Sequence, residues 1–171
     1  MKKSLTEKFH DVKLMLTDVD GVLTDGGRYY SPTGELYKKF HTRDGMGVNI
    51  LLRNNIKTAI VTKEKSKIVK KWAKDMNVHT VYQGITIKEN QLKKICNDFK
   101  VKPNEIGYVG DDVNDLGLLE LVGLSACPND ASDLLKNKVD FVCKNNGGNA
   151  AFREIVDFII LSKHSDNAKW Y

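Results

Sequence analysis

Cysteine is scarce in this 171-residue chain and poorly placed for structural use: Cys96, Cys127 and Cys143 are odd in number and far apart. That excludes a disulfide framework and the usual zinc-ligand spacing, and fits buried thiols in a reducing compartment. Long apolar runs are also missing. The longest candidate, near the C-terminus, is interrupted by Asp157 and is too short to span a bilayer. The basic N-terminal residues are followed by no apolar segment, so they do not read as a secretory signal. A soluble, cytoplasmic protein with no membrane partner is expected. There is no linker, internal repeat or low-complexity segment. No basic arm exists either: the net charge of +5 comes from lysines scattered along the chain, which favours a small anionic substrate over nucleic acid.

What is present is the composition of an ordinary soluble globule, 41% hydrophobic and 29% charged, and a length that fits one domain over residues 1–171. The chain is organised around Leu14-Met15-Leu16-Thr17-Asp18-Val19-Asp20-Gly21, an apolar run that ends in two acids one residue apart. Residues 12–17 read as a buried strand, bounded by a glycine-containing turn. The acids admit two readings. They are turn formers closing the strand, or a pair that needs a cation, most plausibly magnesium, because adjacent like charges resist joint ionisation.

Strands and helices then alternate. Aromatic and alternating residues flank Ser31-Pro32-Thr33-Gly34, which predicts a β-hairpin directly after the first strand. A helix is expected over 48–55, capped by Thr42 or Asp44, then a strand over 57–62 and a helix over 66–76, where Trp72 faces the core or borders the pocket. Further expectations are a strand over 78–82, a helix over 87–99 and a strand over 106–110. Short strands at 124–127 and 140–143 flank a helix at 131–135, and a last helix covers 150–161. This alternation argues for an α/β fold: a Rossmann-like three-layer sandwich with a parallel central sheet and a hairpin insertion.

Parallel strands deliver their C-terminal ends to one edge, so Asp18, Asp20, Thr62, Lys88 and Asp111 should converge there. Singly, Thr62 reads equally as an N-cap, Lys88 as a surface lysine and Asp111-Asp112 as a turn. Jointly they suit phosphoryl transfer. Asp18 would attack phosphorus, and Asp20 would protonate the departing alkoxide and then activate water. Magnesium would be held by Asp18, the main-chain carbonyl of Asp20, and Asp111. Thr62 and Lys88 would bind the phosphoryl oxygens. A receiver domain, which also forms an aspartyl-phosphate, is disfavoured by the hairpin and the length.

Asp18-Val19-Asp20-Gly21-Val22-Leu23-Thr24-Asp25-Gly26, Thr62, Lys88 and Gly110-Asp111-Asp112-Val113-Asn114-Asp115 resemble the four motifs of the haloacid dehalogenase (HAD) superfamily of phosphatases. Arg43-Asp44-Gly45-Met46-Gly47, Tyr82-Gln83-Gly84 and Gly147-Gly148-Asn149-Ala150-Ala151-Phe152-Arg153-Glu154 resemble one branch of it. That branch comprises the 3-deoxy-D-manno-octulosonate 8-phosphate (KDO 8-phosphate) phosphatases and their relatives acting on nine-carbon, sialic-acid-type sugar phosphates. The resemblance implies a capless, magnesium-dependent homotetramer in which neighbouring subunits help close each site. It also implies substrate contacts at Asp20, His41, Thr42, Arg43, Asp44, Gly45, Asn49, Glu64 and Lys88. Two departures stand out. Thr62-Lys63-Glu64 replaces the Thr-Gly-Arg of enzymes that hydrolyse KDO 8-phosphate, which favours a nonulosonate 9-phosphate, and Asn149 replaces an arginine. Beside the eight-carbon alternative stands a non-catalytic assembly module, related to the domain appended to some CMP-sialic acid synthetases.

Overall fold

The computed structural model describes residues 3–164 and 167–171; positions 1, 2, 165 and 166 of the domain expected over 1–171 lie outside the described residues. In chain order the elements are α1 (Leu5–Asp11), β1 (Leu14–Thr17), β2 (Tyr29–Ser31), β3 (Gly34–Tyr37), α2 (Thr42–Arg53), β4 (Lys57–Thr62), α3 (Lys67–Asp75) and β5 (Thr80–Gln83). They continue with α4 (Leu92–Phe99), β6 (Ile106–Val109), α5 (Leu116–Leu119), β7 (Leu124–Cys127), α6 (Asp133–Lys136), β8 (Phe141–Val142) and α7 (Ala151–Lys163).

Six strands form one sheet in the order β5-β4-β1-β6-β7-β8, and every neighbouring pair is parallel. All four residues of β1 are buried, as a parallel strand covered on both faces requires. Its side chains alternate between two cores. Met15 joins residues of α1, α2, α3 and α7 on one face, whereas Leu14 and Leu16 join those of α4, α5 and α6 on the other. The result is a three-layer α/β sandwich with the antiparallel β2–β3 hairpin inserted after β1. No described helix is long and apolar enough to cross a membrane.

From β1 the chain winds outward through β4 and β5, then returns to the other side of β1 and winds the opposite way through β6, β7 and β8. The direction therefore reverses between β1 and β6, and the crevice beyond their C-terminal ends is where such sheets bind ligands.

Several boundaries differ from the sequence reading. The helix α1 was not foreseen, although its Ser4-Leu5-Thr6-Glu7 start is a capping box: Ser4 Oγ accepts from Glu7 N–H, and the Glu7 carboxylate accepts from Ser4 N–H at 2.7 Å. α2 begins at Thr42 instead of residue 48, and His41, not Thr42 or Asp44, caps it through Nδ1. Gly45 and Gly47 weaken the local helix signal, yet a Cβ on Gly45 would lie 2.4 Å from Met76 Sδ. Close packing thus explains at least one of them. The helix expected over 87–99 begins with a 3₁₀ turn, Lys88–Gln91, before α4. Trp72 stacks on Phe40 at a centroid distance of 4.6 Å, away from the β1–β6 rim.

The loop after β8 closes the β1 loop from outside. A Cβ on Gly147 would stand 1.9 Å from the Gly21 carbonyl oxygen, and one on Gly148 would stand 2.3 Å from Asp25 N. Gly147→Ala is expected to destabilise the fold by about 1–3 kcal/mol, read from the midpoint of urea unfolding. A variant as stable as wild type would contradict this close approach.

Candidate active site

Backbone geometry shapes the rim before any side chain acts. Asp18 N–H donates to Val109 O at 3.0 Å, carrying the β1–β6 ladder one residue past the strands. The following turn is tight, with the N–H groups of Val22, Leu23 and Thr24 all donating to Val19 O. Gly21 has φ +85°, and a Cβ there would lie 2.0 Å from Asp111 Oδ2. Glycine at this point lets the acid that follows β6 come against the β1 loop.

Beneath the rim lies a buried charge cluster. Lys88 is fully buried, and its Nζ donates to Asp115 Oδ1 at 2.5 Å and to Tyr108 OH at 3.2 Å, and pairs with Asp18 Oδ2 at 2.9 Å. Burial opposes its charge, but the charges of Asp18 and Asp115 outweigh that and leave its pKa raised. All three ammonium donors are thereby committed. Asp115 is equally saturated: Oδ1 takes Lys88 and the Tyr108 hydroxyl, and Oδ2 accepts from Asp111 N–H at 3.0 Å and Asp112 N–H at 3.3 Å. Burial raises the Tyr108 phenol well above its ordinary pKa, with the Asp115 charge adding to it, so the hydroxyl stays a donor.

The carboxylates above this base lack compensation. Burial pushes Asp18 up, with Lys88 opposing the shift, and its Oδ1 is buried with no hydrogen-bond partner among the described residues. Burial followed by the charges of Asp18 and Asp115 pushes Asp111 up to about 8. Asp18, Asp111 and Asp115 offer carboxylate oxygens within 4.8 Å of one another. An orphaned buried oxygen and a carboxyl whose pKa is raised by burial and then by neighbouring like charges fit a hard divalent cation with oxygen ligands. Asp18 and Asp111 are free to serve as ligands, whereas Asp115 is already occupied.

A cavity of about 400 Å³ opens over the cluster, with Asp18, Asp20, Thr62 and Asp111 in its lining together with Arg28, Lys63 and Glu64. Lys63, which replaces a glycine of the resembled pattern, lines this space without closing it. The side chain of Asp20 meets Lys38 Nζ at 2.5 Å through Oδ1. Arg28 bridges Glu64 at 3.2 Å and Asp20 at 3.9 Å.

Other expected substrate contacts are not brought to this crevice within the single chain. His41 caps α2, accepting from Arg43 N–H, and neither it nor Thr42 nor Arg43 lines the cavity. Gly45 lies against Met76 and Trp72. Asn49 donates to Gly45 O and accepts from Asn77 at 2.8 Å. Asp44 is fully buried and accepts from Arg153 N–H at 2.9 Å, tying α2 to α7; burial raises its pKa to about 6. As a buried cap, Asp44 is unavailable to a ligand in this crevice.

The sequence reading missed Asp115, Tyr108, Arg28 and Lys38 as contributors. Asp115 had a readable signal in the acidic run after β6. The two hairpin cations had none, being two among 27 Lys and Arg.

A family model described as haloacid dehalogenase-like hydrolase matches residues 49–155. The 3-deoxy-D-manno-octulosonate 8-phosphate phosphatase of Salmonella typhi is 37% identical over 163 residues, which is 95% of this chain and 87% of that protein. The cobalt-bound deoxy-D-mannose-octulosonate 8-phosphate phosphatase of Haemophilus influenzae superposes with a TM-score of 0.89 at 35% identity, covering 91% of each chain. The Moraxella catarrhalis 3-deoxy-D-manno-octulosonate 8-phosphate phosphatase, solved with magnesium, phosphate and KDO, gives a TM-score of 0.92 at 28% identity, covering 96% of this chain and 94% of that one.

Raised carboxyls make the metal-free protein pH-sensitive. A carboxyl with a folded pKa above its unfolded value near 3.8 favours folding while protonated. That contribution is complete below about pH 4 and is lost as pH rises through about 8 for Asp111. Without divalent metal, the melting temperature should therefore fall between about pH 5 and about pH 8, and magnesium should raise it more at the higher pH, because metal replaces protons. A magnesium shift that is equal at both pH values, or larger at the lower, would contradict this reading.

Proposed function

Since the chain belongs to the haloacid dehalogenase-like hydrolases, in the branch of the KDO 8-phosphate phosphatases, and is a phosphomonoester hydrolase, we propose that it hydrolyses the phosphate ester of a 2-keto-3-deoxy sugar acid through an aspartyl-phosphate on Asp18. The observation that carries this reading is the buried Oδ1 of Asp18, without a hydrogen-bond partner among the described residues, on a side chain that lines one crevice with Asp111 and Thr62.

Asp18 forms the new bond to phosphorus as the sugar oxygen leaves. Asp20 gives that oxygen a proton, then takes one from the water that cleaves the aspartyl-phosphate. Thr62, at the end of β4, donates its hydroxyl to a phosphoryl oxygen. Lys88 acts from below: with its donors already taken, it keeps Asp18 ionised and offsets the charge gathering above it. Magnesium held by Asp18, the main-chain carbonyl of Asp20 and Asp111 would supply, when bound, the positive charge that lets an anionic nucleophile approach an anionic phosphate.

Two readings of the substrate have separate support. Glu64 lines the crevice where the eight-carbon enzymes have arginine, and it pairs with Arg28, which favours a nonulosonate 9-phosphate. The names of the similar proteins favour KDO 8-phosphate. The proposal extends to one domain spanning the chain, to the cytoplasm, on the support of three free thiols, and to a homotetramer. The hairpin leaves Tyr29, Tyr30, Leu36 and Tyr37 exposed, a surface suited to neighbouring subunits. Thr42 and Arg43, exposed at the start of α2, would then reach substrate across a subunit boundary.

Magnesium-dependent phosphate release is expected from a nonulosonate 9-phosphate with higher kcat/KM than from KDO 8-phosphate. Glu64→Arg should move that ratio toward the eight-carbon sugar by about 10-fold or more, and Asp18→Asn should abolish turnover of both. A wild-type preference for KDO 8-phosphate would reverse the substrate order. Undiminished turnover by Asp18→Asn would remove Asp18 as nucleophile.

A further inference from the structure

Lys38 stands on the exit leg of the hairpin, just past β3, with its side chain wholly buried. A buried ammonium is costly unless it is paired. Here two carboxylates meet it, Asp20 Oδ1 at 2.5 Å and Glu35 Oε1 at 2.8 Å. The second oxygen of Glu35 accepts from Ser66 Oγ at 2.9 Å, and Ser66 is the N-cap of α3, accepting from Val69 N–H. Asp20 is thus fastened through Lys38 and Glu35 to the chain that follows Thr62. On the entry leg, Arg28 approaches the other Asp20 oxygen at 3.9 Å. The base of the hairpin therefore places one cation on each side of a single carboxylate, apart from the cluster that Lys88 organises under Asp18.

We propose that Lys38 is a positioning residue for Asp20, fixing one carboxylate oxygen so that the other faces the oxygen of the leaving group. This assignment rests on Asp20 serving as general acid and base. Asp20 sits on a loop, and a loop carboxylate left to itself samples several rotamers; a buried partner removes that freedom. In the first step the bond from Asp18 oxygen to phosphorus forms, the bond from phosphorus to sugar oxygen breaks, and the Asp20 proton passes to that oxygen. The carboxylate left on Asp20 is stabilised by the adjacent ammonium, which holds it in place for the second step. There it takes a proton from the attacking water.

The test exploits the leaving group. A sugar alkoxide needs a proton to depart, whereas 4-nitrophenolate leaves without one, so a defect confined to the general acid falls on the sugar ester alone. The quantity to compare is kcat/KM, which covers only the steps through aspartyl-phosphate formation. It would be measured in magnesium for 4-nitrophenyl phosphate and for whichever of KDO 8-phosphate and nonulosonate 9-phosphate the wild type turns over faster. Asp20→Asn should lose about 100-fold or more on the sugar ester, and Lys38→Met about 10-fold or more, with losses under about 3-fold on the aryl ester. In the Asp20→Asn background, Lys38→Met should add no more than about 2-fold. Equal losses on both esters in Lys38→Met, or a loss that multiplies that of Asp20→Asn, would overturn the assignment. Should Lys38→Met not fold, Glu35→Gln keeps the ammonium and loosens its anchor. It should show the same discrimination between esters in smaller measure, and a uniform loss or no loss would overturn the proposal. If Asp20→Asn itself lost both esters equally, the reading of Asp20 as acid and base would fall, whatever Lys38 does.

Discussion

The constraint on which this structure depends is the repulsion among Asp18, Asp111 and Asp115, three carboxylates drawn within a few ångström of one another at the end of a buried sheet. Like charges this close do not ionise together without positive charge beside them. One fully buried lysine supplies part of it, with all its donors spent on Asp18, Asp115 and Tyr108. The rest of the demand stays open at the orphaned, buried Asp18 oxygen and at Asp111, two residues that line the crevice. A divalent cation and the chemistry of phosphate follow from that imbalance, and the fold serves to hold it.

The sheet creates the imbalance by topology. β1 and β6 lie side by side, although the segments between them fill the other half of the sheet. Their ends bring Asp18 and Asp111 face to face where the winding reverses. Glycine removes the remaining obstacle at position 21, and the loop bearing Gly147 and Gly148 presses the same turn from outside. The hairpin adds a second, separate group of charges, in which Lys38 and Arg28 hold Asp20 while Glu35 and Glu64 hold the cations. Asp18 and Asp20, the proposed nucleophile and acid–base partner, are two residues apart in sequence, yet they are steadied by different parts of the chain.

Much of this was legible in the residues. The apolar run closing in Asp18 and Asp20, the strand ending in Thr62 and the Gly110-Asp111-Asp112 turn each carried a local pattern, and parallel alternation placed them on one rim. Gly45 and Gly47 argue locally against the first turns of helix α2, while packing of Gly45 against Met76 and Trp72 and of Gly47 against α7 overrides them. The start of α1 is legible too, in the capping box Ser4-Leu5-Thr6-Glu7. The burial of Lys38 had no local signature, since a lysine in a lysine-rich chain looks the same whether it faces water or the core. The segment from His41 to Gly45 and Asn49 point to a different gap: motif spacing does not say whether a segment lines the crevice of its own chain, and these residues do not.

The most direct measurement is chemical trapping of the covalent intermediate. The enzyme would be quenched during turnover, reduced with borohydride, which converts an aspartyl-phosphate to homoserine, and mapped by peptide mass spectrometry. The account predicts homoserine at position 18, dependent on both substrate and magnesium. An active enzyme that carries the modification at another carboxylate, or at none, would contradict it.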